Sequence, residues 1–216
     1  MENTKINVLD LGKKPYEEVW NFQKKMQAKR INNEIDDMLI LVEHEPVYTL
    51  GKNAEINHLL QSRDKSVEVF SIERGGDITF HGPGQLVGYP IINLSNYKKS
   101  INWYMRSLEQ VTIEVLNEYG IIAKRVEGLA GVWVDDAKIA SQGVRLSRWV
   151  TMHGFSLNVH TDLSYFDGII PCGIFDKGVT SMEVLLGKTE KMDVVKLMVI
   201  NKFNKIFKKN RLLWQD

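Results

Sequence analysis

The sequence has little of several things on which common classes of protein depend. It contains one cysteine among 216 residues, so no disulfide can form within the chain, and a zinc site built from several cysteines is excluded. No apolar run reaches the roughly eighteen residues of a membrane span. The opening "MENTKINVLDLG" lacks the apolar core of a secretory signal. We therefore expect a cytoplasmic protein that has no membrane partner.

An excess of charge of either sign is also absent. The chain has 28 basic and 27 acidic residues, a net charge of +1, so no global attraction draws it to nucleic acid, and we expect no nucleic-acid partner. A G-x-G-x-x-G dinucleotide loop is missing, and the five histidines contain no H-x-x-x-H pair. The sequence therefore predicts no metal site and no cofactor.

The pattern of apolar residues predicts an α+β fold in one domain that spans residues 1–216. Strands are predicted in "KINVLDLG", "MLILVEH", "SVEVFSIE", "DITFHG", "QLVGYPIINL", "GVWVDD", "KIASQGVRLS" and "WVTMHGFSLNVH", and the four segments from "MLILVEH" to "QLVGYPIINL" read as strands of one sheet. Helices are predicted in "PYEEVWNFQKKMQAKR", with Val19, Phe22 and Met26 on one face, in "INWYMRSLEQVTIEVLNEYG", and in "DVVKLMVINKFNKIFKKN". Strands in two groups, with helices between and after them, favour a mixed sheet over a regular βαβ alternation.

One glycine-rich segment, "RGGDITFHGPGQ", combines bare backbone with polar side chains. Arg74, Thr79 and His81 stand among four glycines, Gly75, Gly76, Gly82 and Gly84. The segment is either a glycine-rich turn or bulge, or a wall where the main chain passes close to a ligand because no side chain intervenes.

The single thiol, Cys172, lies between Pro171 and Gly173 in "GIIPCGIFD". It is either a small buried apolar residue or a nucleophile, and a nucleophile needs a partner that lowers its pKa from near 8.5. Lys138, in a run of small residues in "DDAKIASQGVRLS", is the candidate partner, as a base or as a cation. The alternative is a solvated lysine at a strand edge.

Five segments in order resemble the signature blocks of the lipoyl(octanoyl) transferases. They are "HEPVYTLG", "RGGDITFHGPGQLVGYPIINL", "GVWVDDAKIASQGV", "RWVTMHGFSLNV" and "GIIPCGIFDKGVTSM", which together run from about His44 to Met182. The resemblance implies the fold that biotin and lipoate protein ligases share, a mixed sheet flanked by helices.

The resemblance also implies an activity and its partners. Such enzymes move an octanoyl group from octanoyl-acyl carrier protein to a lysine of a lipoyl domain, in 2-oxoacid dehydrogenase E2 subunits or the glycine cleavage H protein. The group passes through a thioester on the enzyme, which the resemblance places at Cys172, with Lys138 as the residue that lowers the pKa of the thiol.

A substrate pocket is implied as well. Its residues are Arg74, Gly75, Gly76, Asp77, Ile78, Thr79, Phe80, His81, Ser141, Gln142, Gly143, Gly154, Phe155 and Ser156. The sequence departs from the family pattern at Gln142, where a hydrophobic residue is usual, and at Ser156, where alanine is common. Both departures bear on the preferred length of the acyl chain.

Two rival interpretations stay open on the sequence. One is an ATP-dependent lipoate or biotin protein ligase of the same fold, which needs the lysine but not the cysteine. The other is a non-catalytic protein that binds the acyl carrier. A basic run near the C-terminus, Lys202, Lys205, Lys208, Lys209 and Arg211, is either a solvated face or a docking patch for an acidic carrier protein.

Overall fold

The chain folds around two β-sheets of unequal size. The structure is a computed structural model that describes residues 6–170 and 178–212, with side chains as far as Phe207. The strands are β1 (Asn7–Lys14), β2 (Met38–His44), β3 (Val47–Leu50), β4 (Glu68–Ser71), β5 (Ile78–His81), β6 (Gln85–Ile91), β7 (Lys124–Val126), β8 (Leu129–Val134), β9 (Ala137–Ser147), β10 (Val150–Asn158) and β11 (Gly178–Val179). The helices are α1 (Tyr16–Ile31), α2 (Ile101–Glu118), α3 (Met182–Leu186) and α4 (Met192–Leu212), with short 3₁₀ turns at Ile56–His58, Leu94–Asn96 and Leu163–Gly168.

The larger sheet is mixed, as the sequence predicted. Its strands run in the order β1-β2-β6-β10-β9-β8-β7, and β11 joins it by pairing with β9. β1 is parallel to β2 and β11 is parallel to β9, whereas the other pairs are antiparallel. β11 pairs with β9 at Ala137 and Lys138, before the stretch from Ala140 onward that pairs with β10.

The smaller sheet corrects the expectation that the segments from "MLILVEH" to "QLVGYPIINL" lie in one sheet. β3 pairs in parallel with β4 and antiparallel with β5, so "SVEVFSIE" and "DITFHG" leave the larger sheet. The central strand, β3, was not predicted as a strand. Because β3 has only four residues and follows Pro46, its local pattern gives a weak signal, and strand partners depend on contacts distant in sequence.

α2 and α4 cover one face of the larger sheet and form the main core with it. α2 buries Leu108, Thr112, Val115 and Leu116, which recur at helical spacing. The helix begins after Ser100, whose hydroxyl accepts a hydrogen bond from the backbone of Trp103, and it ends before Gly120, at φ +73°. No helix in the described parts of the chain is long and apolar enough to span a membrane.

α1 packs on the opposite face through the predicted side, where Val19, Phe22 and Met26 contact one apolar cluster, and through polar residues beside it. Its buried residues are Tyr16, Val19, Gln23, Gln27 and Arg30, whereas Phe22 and Met26 are only partly buried. The polar side chains on this face are satisfied by partners distant in sequence: the Gln27 amide donates to the Val150 carbonyl at 2.9 Å, and Arg30 pairs with Asp37 at 2.8 Å. The apolar pattern therefore predicted the packed side of this helix but not its buried polar residues, whose burial depends on hydrogen bonds to distant segments.

Candidate functional site

A pocket lies where the two sheets and α1 meet. It encloses about 830 Å³, including its open mouth. Its wall is formed by Tyr16, Arg74, Gly76, Asp77, Ile78, Thr79, His81, Val87, Tyr89, Ala130, Lys138, Ser141, Gln142, Gly143, His153, Gly154, Phe155, Ser156, Asn158, Phe166 and Val179. The smaller sheet supplies one wall through β5, and the larger sheet supplies the other through β6, β9 and β10.

This pocket collects most of the residues that the sequence grouped as a site. All the predicted substrate-binding residues line it except Gly75 and Phe80, and Lys138 lines it too. Cys172 lies outside the described residues. Three segments far apart in the sequence therefore meet at one cavity, although the roles assigned to their side chains stay predictions.

Phe80 and the last two glycines of "RGGDITFHGPGQ" serve the packing of the protein instead. Phe80 is 1% exposed and stacks on Tyr165, with the ring centroids 4.6 Å apart. A Cβ at Gly82 would lie 2.5 Å from the Phe80 ring, and one at Gly84 would lie 2.5 Å from the His160 carbonyl oxygen. The expectation that all four glycines admit a ligand is therefore wrong for these two, since they make room for the protein's own atoms.

Lys138 is buried, so the alternative of a solvated lysine at a strand edge is wrong. It is 5% exposed and lies in β9 between β8 and β11, with its Nζ atom 4.8 Å from the centre of the Trp133 ring. Gly131, in the neighbouring strand β8, leaves room for the aliphatic part of the Lys138 side chain, because a Cβ at position 131 would lie 3.2 Å from Lys138 Cε. An amine placed in such a pocket can act in the chemistry of a bound group.

Arg74 is held in the pocket wall by hydrogen bonds to the smaller sheet. Its guanidinium donates to the Thr49 carbonyl at 2.8 Å, to the Thr49 hydroxyl at 3.0 Å, and to the Gly75 carbonyl at 3.1 Å. Gly143 in β9 permits this placement, because a Cβ there would lie 2.9 Å from Arg74 Cδ. These bonds fix the position of the Arg74 side chain in the pocket wall.

Two buried histidines, His81 and His153, line the pocket, and a third, His44, packs against His81; all three are held in their neutral form. Burial lowers the pKa of His44 to about 4, and burial lowers the pKa of His81 and of His153 to about 3, with the neighbouring Arg74 charge as a further cause for both. His153 adopts φ +60°, and its backbone N–H donates to Gln23 Oε1 at 3.0 Å. At neutral pH these imidazoles offer lone pairs and N–H groups without adding positive charge.

These histidines make the stability of the protein fall in mild acid. Unfolding returns each pKa to about 6.5, so below that pH the unfolded chain binds protons that the folded chain does not. We expect the free energy of unfolding to fall by about 1 to 2 kcal/mol per histidine between pH 7 and pH 5. Urea unfolding at pH 7 and at pH 5 measures this fall in the free energy of unfolding. In the variant His153→Gln the fall should be smaller by the contribution of one histidine, about 1 to 2 kcal/mol. An equal loss in both proteins would contradict the prediction.

Several pocket residues were missed by the sequence prediction. Tyr16, from α1, stacks on His81 with the ring centroids 6.2 Å apart, and the hydroxyl of Tyr89 lies 2.8 Å from His44 Nε2. Asn158 lies at the end of β10. Their sequence signals are weak, because a tyrosine at the start of a helix or an asparagine at the end of a strand is common without any site nearby.

Gln142 has an unusual environment for an amide. Both its Nε2 and its Oε1 atoms are buried, and neither bonds to any described residue. Gln142 and Ser156 are the two positions at which the sequence departs from the pattern of the family that it resembles, and both lie in the pocket wall.

Two further sequence-based expectations concern charge. Within residues 6–170 and 178–212, no group of three or more acidic, histidine or cysteine side chains is arranged to hold a metal ion. In the basic run, Lys202 and Lys205 pair with Glu118 and Glu114 of α2, so they hold the two helices together. The side chains of the other three lie outside the described residues. The solvated face and the docking patch for an acidic carrier protein both stay predictions for this run.

The chain is similar to known proteins over most of its length. The model of the lipoyl protein ligase A/B catalytic domain matches residues 15–204. An octanoyltransferase of Flavobacterium johnsoniae is 46% identical over 95% of this chain and 97% of its own length. Among solved structures, lipoate-protein ligase A bound with ATP has a TM-score of 0.70 at 14% identity, over 94% of this chain and 85% of that one. Biotin protein ligase from Aquifex aeolicus, in complex with biotin and ATP, has a TM-score of 0.60 at 16% identity, over 95% and 72%. The two ligases confirm the predicted fold.

Proposed function

The chain belongs to the family of lipoyl protein ligase A/B catalytic domains, and we propose that it transfers an octanoyl group from octanoyl-acyl carrier protein to a lysine of a lipoyl domain, through a thioester on Cys172. Its kinship with octanoyltransferases makes it an acyltransferase of lipoate biosynthesis. The proposed acceptors are the lipoyl domains of 2-oxoacid dehydrogenase E2 subunits and the glycine cleavage H protein. The expected cytoplasmic location stays a prediction.

The observation that carries the proposal is the buried amine of Lys138 in the wall of a pocket. The pocket also contains Ser141 to Gly143 and Gly154 to Ser156, together with most of the residues from Arg74 to His81. Its apolar walls at Val87, Phe155 and Phe166 suit an acyl chain, and its polar groups suit a thioester and its attacking groups.

In the proposed first half-reaction, the Cys172 thiolate attacks the carbonyl carbon of the carrier thioester. Lys138 makes the thiolate available, either by taking the thiol proton or by stabilising the negative charge. A new carbon–sulfur bond forms on Cys172, the bond to the carrier sulfur breaks, and the carrier leaves as a thiol after it takes up a proton.

In the second half-reaction, the amine of the lipoyl-domain lysine attacks the acyl-enzyme. A carbon–nitrogen bond forms, the bond to Cys172 sulfur breaks, and the proton lost by the amine passes to that sulfur, directly or through Lys138. The first half-reaction exchanges one thioester for another, and the second exchanges a thioester for an amide, which is downhill, so the overall transfer needs no nucleotide.

The rival ligase activity is less well supported than octanoyl transfer. The solved ligases are only 14% and 16% identical to this chain, which is a likeness of fold, whereas the octanoyltransferase from F. johnsoniae is 46% identical over nearly its full length. A non-catalytic protein that binds the acyl carrier needs neither Cys172 nor a buried lysine beside an acyl pocket.

The test is intact mass spectrometry after the protein is mixed with octanoyl-acyl carrier protein in the absence of ATP. We expect the wild type to gain one octanoyl group that hydroxylamine removes and that a lipoyl domain discharges. Cys172→Ser should give no hydroxylamine-labile adduct.

A different pattern would reject the thioester route. Transfer that requires ATP and free octanoate would indicate a ligase. Normal transfer by Cys172→Ser would exclude a thioester at this residue. Tight binding of the acyl carrier without any transfer would indicate the non-catalytic alternative.

A further inference from the structure

A chain of buried amides ends at His81 in the pocket. The Thr180 carbonyl accepts a hydrogen bond from Asn158 Nδ2 at 2.9 Å. The other atom of that amide, Asn158 Oδ1, accepts from Gln85 Nε2 at 2.9 Å, and Gln85 Oε1 lies 2.6 Å from His81 Nδ1. The three side chains of this relay, His81, Gln85 and Asn158, are each 8% exposed or less.

The relay determines which nitrogen of His81 carries the proton. A backbone carbonyl can only accept, so Asn158 must direct its NH₂ group at Thr180 and its oxygen at Gln85. Gln85 therefore directs its NH₂ group at Asn158, a choice that the Phe80 carbonyl reinforces by accepting from the same nitrogen at 3.2 Å. The remaining Gln85 oxygen accepts, so His81 Nδ1 is the protonated nitrogen and Nε2 keeps its lone pair.

The surroundings of His81 keep that lone pair available to a ligand. Nε2 has no partner among the described residues, and the imidazole lines the pocket. The charged and titratable groups around it are Tyr16 of α1, His44 of β2, Arg74 before β5, and His153 of β10. None of these is a carboxylate that would favour a second proton, and burial holds the pKa of His81 at about 3.

A hydrogen-bond acceptor at this place matches only one of the two proposed half-reactions. In the first, Lys138 already serves the Cys172 thiol, and neither the attacking thiolate nor the departing thiolate has a hydrogen to donate. In the second, the attacking amine carries N–H bonds. When one of them points at an acceptor, the amine is held in one orientation and its lone pair is directed at the thioester carbon.

We propose that His81 Nε2 accepts a hydrogen bond from the amine of the acceptor lysine and orients it for attack on the acyl-enzyme, while Gln85 and Asn158 position His81 by fixing its tautomer. The inference rests on the proposed function. In this step the carbon–nitrogen bond forms, the carbon–sulfur bond breaks, and the proton of the amine ends on the departing sulfur. His81 holds the N–H group and does not retain the proton.

The test separates the two half-reactions in the variant His81→Phe, which keeps a ring against Tyr16 but has no lone pair. Intact mass measures first the acylation by octanoyl-acyl carrier protein, and then the discharge of the isolated acyl-enzyme by a lipoyl domain. We expect discharge to slow by about 10- to 100-fold more than acylation does. An unchanged melting temperature shows that the variant is folded.

A second variant tests the positioning relay. Gln85→Glu places a carboxylate against His81 Nδ1, which raises the pKa of the imidazole and puts a proton on Nε2. We expect the discharge step to become slow at low pH and to recover as the pH rises, while wild-type discharge lacks this additional titration. A variant that is merely less stable would not gain a new titration.

Three results would overturn the inference. Discharge by His81→Phe at the wild-type rate would remove the need for an acceptor. Equal slowing of both half-reactions in a His81→Phe variant with the wild-type melting temperature would show that His81 does not act specifically on the attacking amine. Failure of the wild type itself to form an acyl-enzyme would overturn the proposed function and this inference together, and it is distinguishable because it precedes any comparison of variants.

Discussion

Replacement of Lys138 by methionine should reduce octanoyl transfer by about 1,000-fold, because an acid–base group of this kind contributes roughly 10² to 10⁴ in rate. Methionine keeps most of the length and apolar contacts of the lysine stem against Trp133 and Gly131 but removes the amine. The loss should fall on the acylation of Cys172, where the thiolate is needed. Stopped reactions followed by intact mass measure that rate directly.

Lys196 provides a matched control for loss of a buried lysine. It is 8% exposed, like Lys138, but it lies in α4 and pairs with Asp10 at 2.9 Å, away from the pocket. Lys196→Met should lower the melting temperature and leave the acylation rate within about twofold of wild type. If Lys138→Met acylated Cys172 at the wild-type rate, the amine would have no part in the chemistry.

Replacement of Gly154 by alanine should destabilise the fold by about 3 kcal/mol, near the upper end of the usual cost of overpacking. The new Cβ would lie 2.2 Å from the Gly88 carbonyl oxygen and 2.7 Å from Pro90 Cδ, both in the neighbouring strand β6. Because β6 and β10 are central strands, relief requires the sheet to open at the pocket wall. We expect a fall in melting temperature of about 6 to 12 °C.

Gly75→Ala is the matched control for this substitution. Gly75 belongs to the same predicted site, but its backbone needs no left-handed conformation, and a Cβ there would lie 3.6 Å from the Val144 carbonyl, an ordinary contact. Its melting temperature should stay within about 2 °C of wild type. If the two alanine variants melted at the same temperature, the close approach of β10 to β6 would not limit side-chain size at Gly154.

Most of the elements that carry the site could be read from the sequence. The runs around Lys138 and Gly154 are strand-like segments bounded by turn residues, so they were predicted as the strands β9 and β10. The spacing of Leu108, Thr112 and Leu116 predicted α2 in the same way. Local patterns sufficed here because each element buries an apolar face whose period is visible along the chain.

Polar contacts between distant segments could not be read in this way. Nothing near Gln23 shows that it faces His153, and nothing near Gln85 shows that it meets Asn158, 73 residues later. The sequence also left open whether Lys138 is exposed and whether Gly82 and Gly84 lie against a ligand. Each of these outcomes depends on which atoms other elements bring to within a few ångströms.

The sequence alone determined the residue types and their order: the glycine-rich run from Arg74, the lysine among small residues at Lys138, and the lone Cys172. These are local properties of the chain, and they suffice for the resemblance and the fold. Only the tertiary structure decided that Lys138 is buried, that twelve of the fourteen predicted pocket residues share a wall with it, and that His81 keeps its lone pair at Nε2. Burial and tautomer depend on groups that approach from elsewhere in the fold, and no local pattern contains them.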